Sequence, residues 1–355
     1  MPRNLFSIAV VLLLSIQVVH AQSPASEPSP VWRQLTSGVK SSLRGLCVVD
    51  AETLWVSGAD NTVLRSVDGG ESFENVSPQL DEQLDFRDIH AFDSSRAVIL
   101  SAGQPARVYV TDDGGKNWNL AFEHPDPRAF FDALSFWDQD HGIAMSDPID
   151  GRVLLIQTTD GGKTWLELSA DRRPKSRQGE AGFAASGTNM RVAGSSVIHI
   201  ALGGAPAGEV QPTSRIVSSF DGAMSWTNSV VPVPRSESAG IFSLAFDSGG
   251  NGVAVGGDYK QPNLRAGNVA VTKDAKSWSK PNGTPPSGFR SGVAVRERGD
   301  ERVWVTVGTN GTDVSTDGGH NWKQASGVGF HAIQFVGQVG FASGADGRIA
   351  KWVAD

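Results

Sequence analysis

Short apolar and β-branched runs recur along the chain, and each is broken by a polar turn rich in Gly and Asp. "RVYV" (107–110), "RVLLIQ" (152–157) and "RIVS" (215–218) run into such turns, and "NLAF" (119–122) and "LELS" (166–169) run out of two of them. Extended runs of this length, bounded by turn formers, are the pattern of β-hairpins. The chain is therefore expected to be all-β. Its start reads differently. A continuous apolar run from Leu5 to Val19 follows the basic Arg3 and ends in Val19-His20-Ala21. That is the layout of a secretory signal, with cleavage expected after Ala21. Residues 1–21 are set aside as a signal peptide, the Pro- and Ser-rich "QSPASEPSP" (22–30) as a flexible linker, and 31–355 as the folded unit.

The turns repeat. "SVDGGESF" (66–73), "TDDGGKNW" (111–118), "TTDGGKTW" (158–165), "SFDGAMSW" (219–226) and "STDGGHNW" (315–322) share one pattern, with a copy one residue shorter at "TKDAKSW" (272–278). Six copies are too many for one active site. The aspartate can accept backbone N–H groups inside the turn, the glycines allow positive φ, and the terminal aromatic packs into the sheet. Asp68, Asp113, Asp160, Asp221, Asp274 and Asp317 are thus expected to be structural. The pattern resembles the Asp-box or BNR repeat of sialidases, some plant-polysaccharide hydrolases, sortilin-type receptors and photosystem II assembly factors. The anchors Phe73, Trp118, Trp165, Trp226, Trp278 and Trp322 are 45, 47, 61, 52 and 44 residues apart, about one four-stranded propeller blade each. A seventh blade is expected to be split: "VWRQLTSG" (31–38) reads as a strand that follows such a turn, and "FASGADGRIAKW" (341–352) echoes "WVSGADNTVLRS" (55–66). Pairing of the two termini would close a seven-bladed β-propeller and leave no open edge.

Composition narrows the function. The single cysteine, Cys47, permits no internal disulfide and lies in the apolar "LCVV". Without Arg3 the chain carries 30 basic and 38 acidic residues and no long basic block, which argues against a nucleic-acid partner. No stretch beyond the signal is long and apolar enough to span a membrane. The product is expected to be exported, periplasmic or extracellular, and monomeric.

In a four-stranded blade with strands A to D from the axis outwards, the repeated turns join C to D on the lower rim. A concave site is then expected at the upper mouth, where the A strands start and the D–A links and B–C loops gather. Aligning the A strands places Arg44 ("LRGLCVVD"), Arg87 ("FRDIHAFD"), Asp132 ("FDALSFWD"), Arg290 ("FRSGVAV") and His331 ("FHAIQFV") there. Arg44, Arg87, Arg290 and His331, from neighbouring blades, are expected to converge, with Arg172, Arg173, Lys175 and Arg177 adding positive charge on the same side. Guanidinium groups so gathered can hold a carboxylate or phosphate; the alternative is pairing with Asp88, Asp132 or Glu180 at blade junctions. The long loops 203–215 and 256–267 suggest a wall for a partner. Asp147 and Asp150 in "MSDPIDGR" (145–152) are either ligand contacts or turn stabilisers.

Catalytic patterns are sparse. A sialidase uses an arginine triad, a tyrosine nucleophile with a glutamate, and an aspartate acid; of the two tyrosines Tyr109 lies within a strand, which leaves Tyr259. The Arg-Ile-Pro signature is absent. A two-carboxylate glycosidase would draw on Asp132 with Glu180, Asp147 or Asp150. No metal-ligand spacing, phosphate loop or dinucleotide fingerprint occurs, so no metal and no cofactor is expected. The stretches "FFDALSFWDQDHGIAMSDPIDGRVLLIQTTDGGKTW" (130–165) and "GEAGFAASGTN" (179–189) resemble the photosystem II stability and assembly factor family and its non-photosynthetic bacterial relatives, and the likeness of organisation covers nearly all of 31–355. It implies a seven-bladed propeller that binds another protein, such as a membrane-protein assembly intermediate, with an arginine-rich surface contributing. Arg44, Arg87 and Arg290 are the positions onto which that role falls. The competing expectation is a carbohydrate-active enzyme using Tyr259, Asp132 and Glu180.

Overall fold

The computed structural model describes Met1 and residues 31–354; the signal and linker assigned to 1–30 lie outside these apart from Met1. Seven four-stranded antiparallel sheets form the blades of a propeller. The inner strands, in chain order, are Leu43–Val48, Asp85–Ala91, Phe131–Phe136, Met190–Ala193, Ala239–Phe246, Gly292–Arg298 and Ala332–Val336. Six blades are simple meanders from the axis outwards. The seventh takes its outer strand from the other end of the chain, Trp32–Leu35 pairing with Ile349–Trp352. Trp32 also packs edge-on to Trp352 and donates its indole N–H to the Thr312 hydroxyl of blade six at 3.0 Å, so closure is held by packing as well as by the ladder.

The core lies between blades. One cluster joins Val98, Leu100 and Val108 of blade two to Phe131, Ile156 and Trp165 of blade three, and each remaining junction is filled in the same way. Every blade thus covers its neighbour's apolar face, which is why no blade needs a second layer.

All six repeated turns lie between third and fourth strands, on the lower rim. Five share one chemistry, and in the shorter copy Asp274 accepts the Lys276 and Ser277 amides and the Thr272 hydroxyl. In the third copy the Asp160 carboxylate accepts the Thr164 amide at 2.9 Å, the Thr164 hydroxyl at 2.6 Å and the Thr158 hydroxyl at 2.8 Å. The Thr158 hydroxyl oxygen in turn accepts the Gly162 amide at 3.0 Å. Gly161 and Gly162 have φ of 73° and 87°, the region that glycine enters without strain. The indoles of Trp118 and Trp226 donate to Val76 O and Arg172 O, carbonyls of the links that leave the preceding blades. These two turns tie their blades to the preceding ones, whereas the indoles of Trp165 and Trp322 donate to Gly162 O and Gly319 O within their own turns.

The link from blade three to blade four is the longest departure from the plain meander. The fourth strand of blade three stops at Glu167, and the chain then climbs through 168–189 before the next inner strand begins. Residues 183–189 cross the axis. The Ser186 hydroxyl donates to Ser291 O of blade six, Leu244 of blade five donates its amide to Thr188 O, and Gly187 lies directly against the Asp88 carboxylate of blade two. This segment is a plug that floors the upper mouth.

Candidate functional site

In four of the seven blades the mouth is built by one local device. The inner ladder breaks register between Leu43 and Gly45, Phe86 and Asp88, Phe131 and Ala133, and Ile241 and Ser243. A bulge leaves one residue unpaired and re-aims its side chain. The residues so placed are Arg44, Arg87, Asp132 and Phe242, and His331 takes the same place in blade seven, where its amide bonds Ser343 O. These five side chains line a cavity of about 500 Å³ together with Asp147, Phe183 of the plug and Tyr259.

Arg290 is not among them. Leu43 and Phe330 donate their amides to Gly344 O and Gly308 O of the preceding blade, and in blade six the residue making that bond, to Gly256 O, is Arg290 itself. One extra residue precedes this inner strand, so the register moves by one position and the side chain turns to the other face. Arg290 is fully buried, bonded to Asp313 through Nε at 2.6 Å and through Nη2, and to Asn310 Oδ1 at 2.6 Å. Ser291 takes its place at the mouth. Glu180 is also withdrawn. It pairs with Arg215 at 2.7 and 2.6 Å, with side-chain exposures of 0% and 5%, and accepts the Arg177 amide. The basic run does not reach the mouth as a group either. Arg172 bonds Gly222 O on the lower rim and Arg173 pairs with Glu167 at 2.7 Å, because the link starts low, where blade three's fourth strand ends. Asp150 pairs with Arg128 at 2.7 Å in solvent.

What remains divides the mouth into sectors. Arg44 and Arg87 form the cationic one. Each guanidinium reaches a plug carbonyl, Ala185 O and Ala184 O, only at 3.5 Å, and Arg87 also pairs with Asp85 at 2.7 Å. Among the described residues Arg44 has no carboxylate partner; burial, and then the charge of Arg87, lower its hold on its proton. His331 lies beside them with Nε2 3.2 Å from the Ser42 hydroxyl. Burial and the Arg44 charge push its pKa down to about 3, so it is neutral at ordinary pH.

Asp132 and Asp147 form the acidic sector. Asp132 has 0% exposure, and neither oxygen has a hydrogen-bond partner of ordinary geometry. Burial and the neighbouring Asp147 carboxylate hold its pKa well above the carboxylate range, offset only partly by Arg87 and, least, by the Ala184 amide. Asp147 accepts the Gly182 amide at 2.8 Å, and burial raises it to about 6. Gly182 passes so close to Asp132 that no side chain fits there. The third sector is aromatic. Phe183 stacks on Phe242 with ring centroids 4.0 Å apart and planes 12° from parallel, Phe289 meets Phe242 edge-on at 4.7 Å, and Tyr259 stands 48% exposed at the lip.

Comparison with known proteins agrees with this architecture. The family model described as sortilin, neurotensin receptor 3 (Sortilin-Vps10) matches residues 61–188. The vacuolar protein sorting/targeting protein 10 of Aspergillus fumigatus is 33% identical over 123 residues, and that match spans 32% of this chain and only 8% of the fungal protein. The photosystem II assembly lipoprotein Ycf48 of Picosynechococcus sp. is 24% identical over 363 residues, 98% of this chain and 94% of its own length. Among solved structures, YCF48 bound to D1 peptide superposes with a TM-score of 0.61 at 18% identity, covering 93% of this chain and all of that one. YCF48 from Cyanidioschyzon merolae gives 0.59 at 20% identity over 91% of this chain and 98% of its own. A virginiamycin B lyase from Staphylococcus aureus gives 0.63 at 12% identity over 91% of this chain and 99% of its own, so the likeness among structures shows the fold. With its repeats, its seven blades and a relative aligned almost end to end, the chain is a β-propeller that resembles the photosystem II stability and assembly factors.

Proposed function

We propose that this chain is an exported propeller that binds another protein at its upper mouth, where Arg44 and Arg87 hold an acidic segment of the partner. The observation that carries this reading is the pair of guanidinium groups lining one cavity, bonded to the plug only by contacts of 3.5 Å. Arg44, and the Nη groups of Arg87 beyond its Nε pair with Asp85, are thus free to form the shorter, charge-assisted bonds that a carboxylate offers. The exposed Val210, Tyr259 and Leu264 on the two long loops supply apolar area around the rim. The D1 peptide named with one YCF48 structure supports a peptide as the occupant. Co-purification from the native host with wild type and with an Arg44→Ala/Arg87→Ala variant tests it. Partners that depend on both arginines are expected; unchanged recovery would sink the reading.

Tyr259, Asp132 and Asp147 do line one cavity, which favours the carbohydrate-active alternative to that extent. Glu180, tied to Arg215, is not available to it. Turnover of a sialoside by wild type and its loss in Tyr259→Phe would favour the enzyme.

A further inference from the structure

The partner-binding reading uses Arg44 and Arg87 and leaves two groups at the mouth unexplained. Asp132 is completely buried, with neither oxygen in a hydrogen bond of ordinary geometry and only the Ala184 amide nearby, and Asp147 beside it keeps a single bond, to the Gly182 amide. Both sit at register breaks, Asp132 in the inner strand of blade three and Asp147 between Ser146 and Pro148 of its neighbour. A buried carboxyl with no donor is costly, and native proteins rarely leave one so unless something else fills the position. An anion held by the arginines alone would lie next to this carboxyl pair. A ligand with a cationic donor on that side would satisfy both sectors, and the aromatic sector borders the same cavity.

We propose that the mouth is a binding site for a free α-amino acid with an aromatic or large aliphatic side chain. Its carboxylate would sit on Arg44 and Arg87, its ammonium on Asp132 and Asp147, and its side chain against Phe183, Phe242 and Phe289. A cavity of about 500 Å³ suits a molecule of this size, and its mixture of apolar walls and a few convergent polar groups is that of a small-molecule site. His331 is neutral and Arg290 is neutralised by Asp313, and Arg87 also pairs with Asp85, so Arg44 is the mouth's one guanidinium without a carboxylate partner among the described residues.

Isothermal titration of the folded protein with L-phenylalanine, 3-phenylpropanoate and 2-phenylethylamine separates the contributions, because the last two each lack one charged group. L-Phenylalanine should bind at least about tenfold tighter than either. Asp132→Asn and Asp147→Asn should each abolish its advantage over 3-phenylpropanoate, and Arg44→Ala its advantage over 2-phenylethylamine. Two isosteric carboxamide variants guard against misfolding of one of them. Equal binding of L-phenylalanine and 3-phenylpropanoate, no binding of L-phenylalanine, or unchanged affinity in both carboxamide variants would overturn the proposal. Because the probes are small molecules, the result is independent of whether any protein partner is found.

Discussion

Aspartate is used in opposite ways at the two rims of this molecule. On the lower rim the Asp68 carboxylate accepts the Ser72 hydroxyl and amide and the Ser66 hydroxyl, which pulls its pKa down to about 2. At the upper mouth Asp132 has no partner, and burial drives its pKa the other way. The lower rim repeats a satisfied aspartate in all six turns, as a structural staple should. The upper rim repeats one strand position, bulged in four of the blades, and varies the side chain it presents: Arg, Arg, Asp, Phe, Ser and His. Uniform and satisfied chemistry is what stability selects, whereas varied and unsatisfied chemistry on a rigid frame is what recognition requires.

The contrast can be broken most forcefully where a buried group is shared by two elements. Arg290→Ala should strip Asp313 of its partner and cost about 3–5 kcal/mol in denaturant unfolding. Arg44→Ala, at a mouth position, should leave stability nearly unchanged or raise it slightly, since a half-buried cation without a carboxylate partner is removed. A comparable loss, about 3–5 kcal/mol, is expected for Trp165→Ala, which empties the junction of blades two and three.

Asp147→Asn should act in the opposite direction. Its folded pKa of about 6 lies above the ordinary 3.8, so the cost of the buried charge is absent below about 3.8 and complete above about 6. The variant should melt higher than wild type, by roughly 2 °C, at about pH 7.5 and match it at about pH 3.5. Coincident curves at both would place this carboxyl among the satisfied ones.

The smallest effect is expected for Asp160→Asn. Burial alone would raise the Asp160 pKa, but the Thr164 hydroxyl and amide and the Thr158 hydroxyl outweigh it and depress the value. Its contribution is present above the ordinary carboxylate range and lost as pH falls through the depressed value. The variant should lose under about 1 kcal/mol at neutral pH, since Asn keeps one acceptor and the turn is wet, and should equal wild type at about pH 2.

Much of this was legible in the chain because the fold is written in local signals. Six turns of one pattern mark six of the seven blades, and the echo of "WVSGADNTVLRS" near the C-terminus implied the seventh, with the closing pair that Trp32–Leu35 and Ile349–Trp352 form. Mouth residues were legible only where the inner strand kept its spacing, as at Arg44, Arg87, Asp132 and His331. At Arg290 one inserted residue turned the side chain over, a change that residue identity does not signal. Phe242 carried a usable signal, since "IFSLAF" (241–246) aligns with "FDALSF" (131–136), but an aromatic at that position reads as core. The plug had none. Nothing local in 168–189 dictates that the chain crosses the axis, because that path is determined by contacts with Ser243, Leu244 and Ser291, all more than fifty residues away. The same blindness placed Arg172 at the mouth, whereas it bonds Gly222 O on the lower rim.

The most direct test of a recognising upper rim is a position-resolved one. A photo-crosslinking phenylalanine is placed at Tyr259, on the upper lip, and separately at the exposed Met224, in a lower-rim turn, and both proteins are irradiated in the native host. Crosslinked adducts that form from position 259, vanish with Arg44→Ala/Arg87→Ala and do not form from 224 are the predicted result; adducts from 224 with none from 259 would contradict the account.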